Sequence, residues 1–217
     1  EGYSSKFVPI RNRISSADPG LVDVDELYDK MMNVFTWDAI RQDNYDVDYQ
    51  NYYTFLGVLP QRELFVATAN ALLKTGDKER ALKVLDKCQE SMPDHVWPLE
   101  SIPLGFYTND YMVVNMVSDY FAAGAPDKAA DLGARLGKEL LATANFYMQF
   151  YEYAADDFER ACQFLYYLID ELEKGGEKTV SHDLKLSLVA MMRSSIPDEE
   201  VAGYAPADSS ENTEIQK

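Results

Sequence analysis

The chain is poor in the residues on which most catalytic chemistry depends. Its 217 residues include only two cysteines and two histidines. Cys88 and Cys162 lie 74 positions apart, which makes neither a disulfide framework nor a zinc signature. Ser181-His182-Asp183 has the composition of a triad. Neighbours on a helix point in different directions, however, and a triad needs convergent side chains. His182 reads instead as a residue near a helix start that Ser181 caps, and His95 as a solvated side chain in a proline-flanked loop. There is no glycine-rich phosphate loop. No run of 18 apolar residues exists to span a bilayer. Positive charge is also scarce: 20 Lys and Arg stand against 37 Asp and Glu, a net charge of −17. Such a surface repels nucleic acid and anionic membranes; it leaves basic partners open, and its plainest reading is that the charge keeps the domain soluble. No cofactor or metal is expected. The start, Glu1-Gly2-Tyr3, lacks an initiator methionine and a signal-peptide core, so the chain reads as a piece of a longer protein.

Hydrophobic residues, by contrast, make up 47%, and 15 Tyr and 10 Phe argue against wholesale disorder. Pro9, Pro19 and Gly20 break residues 1–20, where Phe7, Val8 and Ile10 are placed to dock on the body. Asp23 or Asp25 is expected to cap a helix through about Phe35, with Leu27, Met31 and Val34 on one stripe. An acidic, aromatic loop follows over 38–54. Pro60 fits the first turn of a long helix that ends near Gly76, and another begins after Asp77. Pro93, Pro98 and Pro103 mark a connection. Helices are then expected at about 104–123, 126–153, 157–174 and 180–194, broken at Gly124-Ala125-Pro126, Ala155-Asp156 and Gly175-Gly176. The tail from about Pro197 is expected to be disordered.

Phe65, Thr68, Ala69, Leu72, Ala81, Leu85 and Pro93 match the tetratricopeptide pattern, with Gly76-Asp77 at the tight turn and Cys88 at a small-residue position. Small residues let two helices approach, and large ones fill the space between units. Tyr120, Gly124, Ala129 and Leu136 suggest a second unit, although Gly133 replaces an aromatic and Leu141 a proline. Ala161 and Leu165, with Leu168, give a third trace 32 residues after Ala129. The fold expected is all-α: tetratricopeptide-like α-hairpin repeats forming a short right-handed solenoid. Residues 1–54 would form an arm, helix and loop packed on it, 55–196 the repeats, and 197–217 the tail.

Paired carboxylates could hydrolyse glycosides, but Asp156-Asp157 reads better as a helix cap, and Glu199-Glu200 is no more than an acidic surface offers. Asp43, Asp46 and Asp48 imitate part of a calcium loop without its central glycine, and Thr54 stands where the loop needs Glu. The aromatic clusters are the more informative surface. Tyr45, Tyr49, Tyr52, Tyr53 and Phe55 form one, and Trp97, Phe106, Tyr107 and Tyr111 a second. Tyr147, Phe150, Tyr151, Tyr153, Tyr166 and Tyr167 form a third. Tyr45, Tyr49, Tyr52, Tyr53, Trp97, Tyr107 and Tyr111 are the candidate surface for a protein or glycan.

Two blocks carry a resemblance. The first runs from Glu1-Gly2-Tyr3 and Phe7-Val8-Pro9-Ile10 through Val22-Asp23-Val24-Asp25 and Tyr28 to Met32-Asn33 and Phe35-Thr36-Trp37. The second is Leu59-Pro60-Gln61-Arg62 with Val84-Leu85-Asp86-Lys87-Cys88 through Met92-Pro93. Over about residues 1–175 the chain resembles the soluble C-terminal region of large Bacteroidetes membrane proteins, the domain of unknown function 2723 family. That resemblance implies a tetratricopeptide-like extension on the periplasmic side of the inner membrane. It would be attached to a missing N-terminal membrane domain similar to protein O-mannosyltransferases. Transferase chemistry would reside in the missing part, and this chain would hold a protein or glycoprotein partner without catalysis. A carbohydrate-binding module using the tyrosines is the alternative, and a stand-alone acidic-residue hydrolase a second one.

Overall fold

The computed structural model describes residues 23–43, 59–100 and 109–194. Among them the protein is all-α, with no strand. The arm at Phe7–Ile10, the tail from Pro197 with Glu199-Glu200, Asp46 and Asp48 lie outside the described residues.

Asp23 caps α1 (Val24–Asp29) by accepting from the Glu26 N–H. A single wider π-helical turn, Lys30–Val34, follows and buries Met31 completely. Trp37 then folds back: its Nε1 donates to the Met31 carbonyl at 3.0 Å, and its ring lies 4.8 Å from that of Phe65. The remaining helices are α2 (Leu59–Lys74), α3 (Lys78–Ser91), α4 (Asn109–Ala123), α5 (Pro126–Met148), α6 (Tyr151–Lys174) and α7 (Lys178–Ser194). Pro60 sits in the first turn of α2, where its missing N–H has no helical partner to lose.

Three turns, α2–α3, α4–α5 and α6–α7, are built alike. Each has a glycine at positive φ: Gly76 at 83°, Gly124 at 88° and Gly176 at 88°. After each glycine the next N–H reaches back five residues, Asp77 to Leu72, Ala125 to Tyr120 and Glu177 to Leu172. The glycine N–H itself bonds the carbonyl three residues back. This is the Schellman arrangement, which closes the orphan carbonyls of a helix end and favours glycine because a Cβ would clash at positive φ. The next helix is started by the Asp77 carboxylate on Arg80 N–H, by Pro126 at the first position of α5, or by the Glu177 carboxylate on the Thr179 and Val180 N–H groups. Ser181 does not cap α7, because that helix already starts at Lys178.

Burial repeats around these glycines. Eleven residues before them stand Phe65, Val113 and Leu165, and four before them Leu72, Tyr120 and Leu172, all buried. Five after them stand Ala81, Ala129 and Ser181, and twelve after them Cys88, Leu136 and Leu188, again buried. Ala161 therefore does not begin a second helix, as its spacing from Ala129 suggested. It lies in α6, the first helix of its hairpin, and the small residue matching Ala81 and Ala129 is Ser181. The glycines lie 48 and 52 positions apart. The first interval holds the long connection from Met92, whereas the second is taken up by the longer helices α5 and α6.

The helix expected to break at Ala155-Asp156 is interrupted earlier. α5 stops at Met148, α6 starts at Tyr151, and Ala154 bends α6 with φ −135° and ψ 34°. Asp156 and Asp157 thus occupy the first turn after the bend, where carboxylates favour the positive end of the helix dipole.

Packing runs between successive elements: α1 on α2, α4 on both α2 and α3, α6 on both α4 and α5, and α7 on α5 and α6. Two glycines set how closely α5 is approached. A Cβ on Gly133 would meet a Leu172 methyl at 2.8 Å, and one on Gly137 would meet the two Leu184 methyls at 2.5 and 2.7 Å. Gly137→Ala gains about 1 kcal/mol of helix propensity. It also drives carbon atoms well inside their ~3.5 Å contact distance, against a Leu184 only 6% exposed. Overpacking of this kind costs about 1–3 kcal/mol. Gly137→Ala is therefore expected to lose about 1 kcal/mol net, and Gly133→Ala, with its single close contact, distinctly less. Urea denaturation of both variants checks the ranking, and equal or reversed effects would contradict the close approach of α7.

Candidate interaction surface

Three places gather polar or aromatic side chains. The first is the connection Met92–Glu100, which α2, α5 and α6 hold in place. Arg62 of α2 is 2% exposed and donates from Nη1 to the Pro98 carbonyl and from Nη2 to the Trp97 carbonyl, each at 3.1 Å. From α5, a Glu139 oxygen accepts the N–H groups of Leu99 and Glu100 at 2.8 and 2.9 Å. Burial raises the Glu139 carboxyl above its usual range, against the pull of those two N–H groups. Thr143 donates to Glu100, and Arg160 of α6 lies 3.7 Å from the same carboxylate. The loop backbone is thus fastened by side chains from α2 and α5, and its Glu100 side chain by α5 and α6, a structural use of charge.

The second is a groove of about 320 Å3 between α3, the end of α4 and the start of α5, lined by Asp86, Gln89, Tyr120, Asp127, Lys128, Asp131 and Arg135. Its groups engage one another. Lys128 bonds both Asp86 oxygens at 2.7 Å, and the Tyr120 hydroxyl donates to Asp86 at 3.3 Å. Arg135 reaches Asp94, Asp131 and Gln89. Burial alone raises the Asp94 carboxyl, but the Arg135 guanidinium outweighs it and holds the carboxyl below its ordinary value. Burial, with Asp86 beside it, pushes the Tyr120 hydroxyl far up, so it stays protonated. The groove is a cross-brace between the first two hairpins.

The thiols and histidines are placed apart from both. Burial pushes the Cys88 thiol up to about 11 and also raises Cys162, so neither is a thiolate at neutral pH. Ser181 turns inward and its Oγ donates to the Lys178 carbonyl, while His182 and Asp183 are exposed. His95 Nε2 pairs with Asp43 at 2.8 Å. Among the described residues no group of three His, Cys, Asp or Glu side chains is placed to hold a metal.

The third place is aromatic. Of the seven candidate residues, Tyr45, Tyr49, Tyr52, Tyr53 and Tyr107 lie outside the described residues. Tyr111 is exposed on α4. Trp97 is not a surface residue: it is 2% exposed, packs with Met92 and donates its Nε1–H to the Ile40 carbonyl. Among the described residues the other exposed rings belong to the third cluster and its neighbour Phe146. Phe146, Phe150, Tyr151 and Tyr153 surround the α5–α6 elbow, with Tyr153 89% exposed, and Tyr166 and Tyr167 lie further along α6. Phe146 and Phe150 sit one turn apart with ring centroids at 5.4 Å, and Tyr151 meets Phe158 edge-on at 5.5 Å. The helical phase accounts for these positions. Leu140 and Ala144 face the core, so Phe146, two residues on, points away; Leu165, Leu168 and Ile169 are buried, leaving Tyr166 and Tyr167 outside. That phase is readable in the sequence, and it is the signal that should have ranked the third cluster above Trp97.

Comparison with family models, with curated proteins and with solved structures finds no match.

Proposed function

We propose that this chain is a non-catalytic interaction module, built of tetratricopeptide-like hairpins stacked in a short right-handed solenoid, which holds a protein partner. The observation that carries this reading is the concentration of exposed aromatic rings at the α5–α6 elbow. Aromatic side chains are enriched at protein interfaces because each contributes a large contact area with few rotatable bonds. The thrice-used glycine turn and the recurring buried register support the stacking of hairpins, and the packing of each hairpin on the next fits it. In keeping with the resemblance of the Phe35-Thr36-Trp37 and Leu59-Pro60-Gln61-Arg62 blocks, the module would be the soluble, periplasmic extension of a membrane glycosyltransferase-like protein. It would position an acceptor or partner protein near that enzyme.

A photo-crosslinking residue tests the reading when placed at Tyr153 and, as a control, at Lys83 on the outer face of α3. In native membranes the first is expected to give an adduct of one defined mass and the second none. Absence of any adduct from Tyr153, Tyr111 and Tyr167 positions alike would count decisively against an interaction module.

Tyr166 and Tyr167 favour a second reading, a carbohydrate site. Gln163 Nε2 donates to the Tyr167 hydroxyl at 2.8 Å beside the exposed Tyr166 ring, an amide next to a stacking platform. Calorimetry with a panel of oligosaccharides decides: this reading requires heat that disappears in Tyr166→Ala, and it is lost if no glycan binds.

A further inference from the structure

We propose that the α5–α6 elbow docks a cationic peptide segment, rich in lysine or arginine, of the protein partner; this rests on the interaction-module reading and names the partner's chemistry. Three observations converge. The first is reach. α5 and α6 have 23 and 24 residues, against 17 in α7, which starts from the same end as α5. At 1.5 Å per residue α5 is about 9 Å longer than α7. The second is the set of rings at this tip, Phe146, Phe150, Tyr151 and Tyr153, each close to half exposed or more.

The third is charge. From Glu139 to Glu159 the chain carries no lysine, arginine or histidine, while Glu152, Asp156, Asp157 and Glu159 fall within two turns of Tyr153. Many carboxylates elsewhere are paired, as Asp86 is with Lys128 and Glu173 with Lys185, although Asp127 and Asp183 form no ion pair with a described residue. These four form no ion pair with any described residue. Aromatic faces rimmed by unpaired carboxylates attract guanidinium and ammonium groups twice, through the ring quadrupole and through the charge. The same rim argues against other occupants. A second copy would bring these carboxylates against themselves, at a net charge of −17 per chain. An anionic membrane would be repelled, with no lysine or arginine at the tip to anchor it.

The test is fluorescence anisotropy of the full chain with a fluorescein-labelled peptide of alternating arginine and glycine, at ~0.15 M salt, where distant charges are screened. Phe150→Ser/Tyr153→Ser and Glu152→Gln/Asp156→Asn/Asp157→Asn are each expected to weaken binding roughly tenfold. Glu79→Gln/Asp127→Asn/Asp183→Asn, with the same change in charge away from the elbow, is expected to weaken it roughly twofold or less. Circular dichroism confirms that each variant is folded. Equal weakening by both neutralised triples would reduce the effect to diffuse acidity and overturn the proposal. So would an aromatic variant that binds like the parent, or sedimentation showing that the elbow joins two copies. If the peptide does not bind while crosslinking from Tyr153 still yields its defined adduct, the cationic assignment falls and the interaction module stands. If the adduct is missing as well, both fall.

Discussion

Trp97→Ala is expected to cost about 3–5 kcal/mol of folding stability. The ring is 2% exposed and forms a small satellite core with Met92, with Ile40 and Val96 packed around it. Removing it leaves a cavity in a loop that has little else to collapse into. It also strips the part-buried Ile40 carbonyl of its indole N–H partner. The consequence spreads through the fastening of the connection. Arg62 is buried against the Trp97 and Pro98 carbonyls, and among the described residues no carboxylate hydrogen-bonds to its guanidinium. Tyr111→Ala makes the control: the ring is 57% exposed, so its loss should change stability by about 0.5 kcal/mol or less. Urea denaturation followed by far-ultraviolet circular dichroism measures both. A Trp97→Ala loss below about 1 kcal/mol would mean that the ring is not buried as described.

Trp97 also shows what a sequence can and cannot disclose here. Helices, their glycine stops and the tight turn at Gly76-Asp77 were legible because each follows from a local rule: amphipathic phase, a missing Cβ, a capping carboxylate. Gly124 and Gly176 obey the same rule. Ser181 does not fit the alanine of the repeat pattern, yet the site demands only a small side chain, and its hydroxyl bonds back to Lys178 O within the helix. The bend at Ala154 lies one residue before the break expected at Ala155-Asp156, whereas the stop of α5 at Met148 has no proline or glycine to mark it. Trp97 was misread for a different reason. Proline-flanked connections usually run over the surface, and this one is drawn inward by partners far away in sequence, Arg62 and Glu139. Nothing within ten residues of Trp97 announces them. The candidate surface was legible in composition, as clusters of tyrosine, and the helical phase at Ala144 and Leu165 marks the outward-facing rings of the third cluster.

Asp119→Asn is expected to stabilise the protein increasingly as pH rises, by as much as about 4 kcal/mol at pH 8. Asp119 lies on α4 facing α2, 7% exposed, and its Oδ2 accepts one hydrogen bond, from Asn70 Nδ2 at 2.8 Å. Burial without a compensating cation pushes its carboxyl from 3.8 up to about 7. The sign follows from proton counts. Between about pH 4 and 7 the folded chain keeps a proton on Asp119 that the unfolded chain has released, so stability falls as pH rises through this window. The loss is complete above about pH 7, where the folded state must hold a buried carboxylate. Three units at about 1.4 kcal/mol each set the ceiling. Asparagine keeps an oxygen for Asn70 and carries no charge at any pH, so the variant and the parent should match near pH 4 and diverge upward. Stability measured for both at pH 4, 6 and 8 decides, because the titration of every other group cancels in the difference. A difference that stays flat with pH would show that Asp119 ionises freely in the folded state. The location makes the effect structural as well as energetic, since Asp119 and Asn70 join the first helices of two successive hairpins. A carboxylate charging at that seam weakens the contact between α2 and α4. The alkaline loss of stability should therefore be accompanied by faster hydrogen exchange in α2 and α4 than in α6.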